Sequence, residues 1–336
     1  SLFQRWYSQA GTPVLDVKTT FNEKEKTFKL EIKQSCPDTA GQKNKQPFHI
    51  PLQVGLLDTD GSDLLLNIEG ELSAGSPMGS TLKTLEVKNE TEIFTFLNVS
   101  NKPLLSLNRG FTSPVKIQSQ QSNDDLAFIF AHDSDEFNRW EAGQMLAMNT
   151  LLSFVDDIQN NRTLMLDDKV IKAFRNTLTH SELDKSLIAQ AITLPSESYL
   201  ADQCDVVDVD AIHQARTFMR LELAKALKNE FKNIYQSGQS KATYLFDADE
   251  MARRGLNHVC LSYLMCLQED DTIVACTKQI ENTNNMTDVL SALTILSHHD
   301  NSSRQQALDA FYDKWKHDSQ VVEKWFAIQY ASAITD

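Results

Sequence analysis

Proline and glycine are spread so unevenly along this chain that a single fold class cannot cover it. Seven of the eight prolines and eight of the eleven glycines fall before residue 115, and Pro195 is the one late proline. Both residues interrupt helices, proline by removing a backbone donor and glycine through its backbone entropy, and both favour turns. The hydrophobic period changes at the same place. In "PFHIPLQVGL", Phe48, Ile50, Leu52, Val54 and Leu56 alternate with His49, Pro51, Gln53 and Gly55. In "TFKLEIK", Phe28, Leu30 and Ile32 alternate with Lys29, Glu31 and Lys33. A period of two marks strands with one wet face.

Further strands are expected at 13–21, 91–99 and 113–119, separated by turn signals such as "DTDGSD" and "SAGSPMGS". Pro51 inside a strand suggests an edge position. About seven strands before residue 120 point to a small antiparallel sandwich. The expected boundary lies near 118–122, in "IQSQQSNDD".

Downstream the period becomes 3.6. In "EFNRWEAGQMLAMNTLLSFV", Phe137, Trp140, Met148, Leu151 and Val155 share one arc of a helical wheel, widened by Met145 and Leu152. Further helices fit about 167–179, 182–192, 209–235, 248–268, 286–297, 303–317 and 320–332. Asp135, Asp208 and Asn285 stand where N-caps are wanted. Helix after helix with short loops means a bundle or an α-solenoid, irregular because no fixed repeat length emerges. Ile295 lies opposite the Met286/Leu290/Leu293 stripe, which suits a helix sandwiched between neighbours.

At 336 residues the chain has room for two cores. Its five cysteines (Cys36, Cys204, Cys260, Cys266 and Cys276) are scattered and odd in number, which favours a reducing compartment such as the cytosol. No apolar run approaches the roughly 18 residues that a membrane span needs. The opening "SLFQRWYSQAGTP" has no signal-peptide layout and reads as a chain entered in mid-structure. Net charge is −14, which argues against nucleic acid or an anionic membrane as the main partner. That charge lies wholly in the second part: residues 1–120 hold 13 basic and 13 acidic side chains, leaving 19 and 33 for 121–336. Such a face is ordinarily a solvated one; the functional alternative is a wall that draws in cationic ligands such as peptide N-termini.

The residues that could carry chemistry each have a plainer reading. A zincin requires H-E-x-x-H, and none of the eight histidines (His49, His132, His180, His213, His258, His298, His299 and His317) is followed by glutamate. Cys260 and Cys266 sit about 240° apart on a helical wheel, so they face apart and read as buried structural thiols. The run His298, His299, Asp300 uses the vocabulary of a metal site. It also reads as a turn: two histidines end one helix, where a cation suits the dipole, and Ser302 or Ser303 with Gln305 or Gln306 offers a capping box for the next. The turn explains every residue in it. Nucleophile-elbow, Walker A and dinucleotide-binding glycine patterns are absent. The acid pairs Asp156–Asp157, Asp167–Asp168 and Asp270–Asp271 stand near expected helix ends, with no partner pattern for acid/base work.

Against this background "RWYSQAGTP" (5–13) resembles the W-x-x-Q-x-G-x-P stretch that opens the third domain of zinc aminopeptidases of the aminopeptidase N family. It is followed in order by "KQPFHIPLQVGLLD", "SLNRGFTSPVKI", "FNRWEAGQML", "LPSESYLADQCDVVDVDAIHQAR", "ENTNNMTDVLSAL" and "YDKWKHDSQVVEKWFAIQ", as in bacterial members. The resemblance implies a β + α chain, with an immunoglobulin-like antiparallel β-sandwich at 1–119 and an all-α, solenoid-like domain at 120–336 that is truncated at its end. It implies a parent enzyme that removes N-terminal residues from peptides, with zinc held by H-E-x-x-H and a downstream glutamate and the substrate amine held by G-x-M-E-N. Neither motif stands in this chain, so no catalytic, cofactor-binding or metal residue is carried over. The implied parent chemistry is attack of metal-activated water with a glutamate as general base.

The resulting expectation is a cytoplasmic, non-catalytic piece, inactive alone, that caps the active-site chamber of the parent and limits substrate access. Its partners are the missing catalytic domains and, through the parent, peptide substrates; nucleic acid and membrane are not among them. Two alternatives are a free-standing helical-repeat scaffold that binds peptides or proteins, and an independent hydrolase built on the histidine-rich turn. Exposed apolar patches are expected near Leu2, Phe3 and Trp6, and near Trp325, Phe326 and Ile328.

Overall fold

The computed structural model describes residues 2–70, 79–240, 244–332 and 334, and contacts divide the chain into two units, Ser1–Leu146 and Ala147–Asp336. Within the first unit a single turn, α1 (Arg5–Ser8), precedes seven strands: β1 (Val14–Asn22), β2 (Thr27–Ser35), β3 (Ile50–Leu57), β4 (Lys83–Val87), β5 (Thr91–Leu97), β6 (Leu104–Leu107) and β7 (Lys116–Ser119). They form two open sheets, ordered β5-β2-β1-β7 and β4-β3-β6. Every pairing is antiparallel except β1 with β7. The alternating residues of the sequence fill the space between the sheets: Phe28, Leu30 and Ile32 from one, and Ile50, Leu52, Val54 and Leu56 from the other, each 2% exposed or less. Burying one such side chain is worth about 1.5–3 kcal/mol, so this alternation sets the register as well as the core.

Pro51 does not mark an edge strand. β3 is central, between β4 and β6, but β6 pairs only with Val54–Leu57. The proline therefore lies beyond the reach of β6, and its carbonyl accepts from the Ser113 hydroxyl. The "DTDGSD" turn closes with Gly61 donating to the Asp58 carbonyl, at a φ of +88° that suits glycine. Most of "SAGSPMGS" lies outside the described residues.

Two helices start in this unit, α2 (Asn123–His132), closed by a Ser122/Asp125 capping box, and α3 (Glu136–Gln159), whose Asn138 amide donates to Asp135. The apolar arc expected for α3 is only partly right. Phe137 and Trp140 are half-buried, while Asn138 and Arg139 are buried. The reason is local: Arg139 donates to the carbonyls of Ala131 and Asp133 at the end of α2, which fixes the buried face of the first turns.

The second unit contains α4 (Asp168–Leu178), α5 (Lys185–Ala191), α6 (Glu197–Ala201), α7 (Val209–Ala226), α8 (Lys228–Ser237), α9 (Ala248–Met265), α10 (Asp270–Asn282), α11 (Met286–Ser297), α12 (Ser302–Trp315) and α13 (Ser319–Tyr330). The helix expected over 209–235 is two helices that part at Leu227. The caps at Asp208 and Asn285 form as read, accepting from the amides of Ala211 and Asp288. α11 packs against α9, α10, α12 and α13, the sandwiched position its two-sided apolar pattern suggests.

The apolar ends of the chain are less exposed than expected. Leu2, Phe3 and Phe326 are exposed, but Ile328 is buried and the indoles of Trp6 and Trp325 donate to the carbonyls of His49 and Leu308. Among the described residues no helix is long and apolar enough to cross a membrane.

Candidate functional site

The histidine-rich turn is the first place to look for chemistry, and local geometry accounts for it. His298 is the C-cap of α11, and Asn301, not Ser302 or Ser303, caps α12 by accepting from the Arg304 amide at 3.0 Å. Asparagine wins because its carbonyl reaches an amide three residues on without taking part in the helix. Arg304 then donates through Nε to the Ser297 carbonyl, tying the two helices together. His298 and His299 do not serve as dipole-stabilised cations: burial first, and the nearby charge of Arg220 second, hold both below the usual imidazole range.

His258 lies with Asp288, not with the cysteines of its own helix; the ring Nε2 is 2.7 Å from the carboxylate. Burial pushes the Asp288 carboxyl up, but hydrogen bonds from His258 and Asn285 outweigh it and leave the group below its ordinary value. The cysteines are all free. Cys260 and Cys276 are buried, and burial pushes both thiols up to about 12, so they are inert at neutral pH. The acid pairs likewise have structural tasks. Arg162 bridges Asp156 and Asp157, Asp167 caps α4, and Asp270 and Asp271 lie in the first turn of α10.

The structure instead brings together a set of residues of which only His258 was weighed as a candidate from the sequence. A cavity of about 360 Å³ opens among α7, α9, α11 and the Thr193–Leu194 loop. α7 contributes Arg216 and Arg220, one helical turn apart and therefore on the same face. α9 contributes His258, Val259, Ser262 and Tyr263, and α11 contributes Ser291, Thr294 and Ile295. Arg216 Nε donates to the Pro195 carbonyl at 2.8 Å and Arg220 Nη2 to the Ser262 carbonyl at 2.9 Å. Tyr263, buried and stacked on Phe231 at 4.6 Å, gives its hydroxyl proton to the Ile192 carbonyl. The walls are thus rigid and mainly uncharged, apart from two guanidiniums and one imidazole. The spacing of the arginines in "ARTFMR" was visible in the sequence, but the other walls come from distant segments.

Zinc, which the resemblance implies for a parent enzyme, has no fitting donor set here. Among the described residues no three His, Cys, Asp or Glu side chains group as a metal would require.

An Ig-like sheet unit followed by stacked helices is also what comparison with known families returns. A domain of unknown function with an Ig-like fold, DUF3458, matches residues 11–120, and its companion with ARM repeats, DUF3458_C, matches residues 123–336. The chain belongs to this two-domain family, and it is homologous to the C-terminal region of aminopeptidase N. It is 33% identical over 327 residues to aminopeptidase N of Haemophilus influenzae, covering 97% of this chain and 36% of that protein. With the Escherichia coli protein of the same name it shares 33% identity over 332 residues, 99% of this chain and 37% of the other. A crystal structure of Legionella pneumophila aminopeptidase A in complex with aspartic acid superposes with a TM-score of 0.80 at 27% identity, covering 99% of this chain and 37% of that one. The chain therefore spans little more than a third of the length of these relatives.

Proposed function

We propose that this chain is the non-catalytic part of a cytoplasmic zinc aminopeptidase that removes N-terminal residues from peptides. The observation that carries this reading is end-to-end likeness, 97–99% of the chain, to proteins named aminopeptidase N. The zinc and the groups that use it then reside in catalytic domains elsewhere in the same polypeptide. The helical domain caps the chamber where hydrolysis occurs and restricts entry to short peptides. Its acidic balance supports a modest attraction for the cationic N-terminus of a substrate.

Two measurements test this. The 336-residue chain, assayed with alanyl-4-nitroanilide and analysed for metal, is expected to show no turnover and no stoichiometric zinc; zinc-dependent turnover by this chain alone would overturn the non-catalytic assignment. In the complete enzyme, a free peptide is expected to be trimmed while the same N-terminal sequence fused to a folded domain is spared. Equal trimming of both would remove the access-limiting role.

A further inference from the structure

Arg216 and Arg220 share a cavity in a chain whose net charge is −14, and among the described residues neither has a carboxylate within ion-pair distance. The nearby acids are already engaged. Glu197, whose charge reaches Arg216, lies 2.9 Å from His213 Nδ1, and Asp288 is held by His258 and Asn285. Each guanidinium has five N–H groups, and each gives one to a main-chain carbonyl. The remainder have no acceptor among the described residues. Burial first and the like charge of Arg220 second press the Arg216 guanidinium below its ordinary value, a sign that the pair is undersupplied with negative charge. Burial first and the charge of Arg220 second hold His298 and His299 below the usual imidazole range, so the arginines are the main positive charge here.

The geometry points to a binding site for a small organic oxyanion, a carboxylate or phosphate group on a compact apolar body. Two guanidiniums a turn apart offer forked donors to such a head group, and charge-assisted pairs of this kind are about twice as strong as neutral hydrogen bonds. Behind them Leu194, Val259, Ile295 and the Tyr263 ring supply an apolar wall, and Thr294 adds a hydroxyl, while the Ser262 hydroxyl donates to the Val259 carbonyl. A volume near 360 Å³ is at the small end for ligand sites, which limits the guest to something of the size of a single aromatic ring with its head group. The assignment does not depend on the proposed function.

Titration of the 336-residue chain with benzoate, phenyl phosphate and benzamide, followed by calorimetry and amide chemical shifts, tests it. Saturable binding of at least one of the two anions is expected, with shifts centred on α7 and α9, and with benzamide at least tenfold weaker. The tighter anion identifies the head group. The Arg216→Gln/Arg220→Gln double variant is expected to bind at least tenfold more weakly than the parent chain while keeping its unfolding transition. Should that variant fail to fold, Ile295→Trp, which fills the cavity from its wall, is expected to abolish binding. Absence of anion binding, equal binding of benzamide, or undiminished binding by a folded double variant or by Ile295→Trp would each overturn the assignment.

Discussion

In the sheet unit, Arg109 is 3% exposed and paired with two carboxylates. Its Nη2 donates to Asp63 at 2.6 Å and to Asp133 at 2.9 Å, and its Nε donates to the Ser106 hydroxyl at 2.7 Å. Burial presses this guanidinium down, but the carboxylates more than offset it. In the helical unit, Arg216 and Arg220 are half-buried and, among the described residues, donate only to carbonyls. The same side chain is an internal fastener in one unit and a held-open donor in the other, and the difference lies entirely in where the carboxylates are. Burying a cation is costly unless charge comes with it, so an arginine without acids must keep contact with water or a ligand.

Breaking the fastener should give the largest effect. Arg109→Met leaves Asp133, which is wholly buried, without its cation, and is expected to cost about 3–5 kcal/mol in the denaturant transition of the sheet unit. A loss below about 1 kcal/mol would show that the cluster is better solvated than its geometry indicates. Gly55→Ala tests the same point from the other side. A Cβ there would stand 2.2 Å from Arg109 Cζ, so the guanidinium must move, at about 1–3 kcal/mol. The two changes together should cost clearly less than their sum, because they disturb one group.

Tyr263→Phe should come next. It deletes the hydroxyl that satisfies the buried Ile192 carbonyl while keeping the ring on Phe231, for an expected loss of about 1–3 kcal/mol in the helical unit. By contrast Arg216→Gln should change stability by less than about 1 kcal/mol, since no carboxylate is stranded and a like charge is relieved. If it costs as much as Arg109→Met, the contrast between the two units fails.

The sheet unit was the more legible of the two. Phe28, Leu30 and Ile32 announced β2, and the alternation from Phe48 to Leu56 announced β3, because one-sided burial writes itself as a period of two. What was missed there was relational: nothing local to Pro51 says that β6 stops short of it. Among the helices, strong caps such as Asp208 and Asn285 were readable, but α2 and α10 were not. α10 buries Thr272, Cys276 and Gln279, polar or ambivalent residues whose place inside depends on the Ala292 carbonyl and the Tyr235 hydroxyl. The cavity was hidden for a similar reason. A search for histidines and paired acids passes over two arginines, and their meaning comes from walls 20 to 80 residues away.

The smallest effect probes how Arg220 acts beyond its own contacts. His298 and His299 titrate below the ordinary imidazole value in the folded chain, through burial first and Arg220 next. The unfolded chain therefore binds protons that the folded one refuses as pH falls below about 6.5. Stability supplied by keeping these rings neutral is complete above that pH and is lost as pH falls toward the folded-state values. The helical unit is thus expected to weaken as pH falls below about 7. His299→Asn should flatten that slope, as asparagine cannot take up a proton. Arg220→Gln should flatten it in part by a different route, since removing the cation lets both rings charge more easily. Asp288, depressed by its partners, does not blur this window, because the stability it contributes is lost only at more acidic pH. A slope unchanged in both variants would mean that burial alone sets the histidines, and that the charge of Arg220 is already screened by solvent in the open cavity.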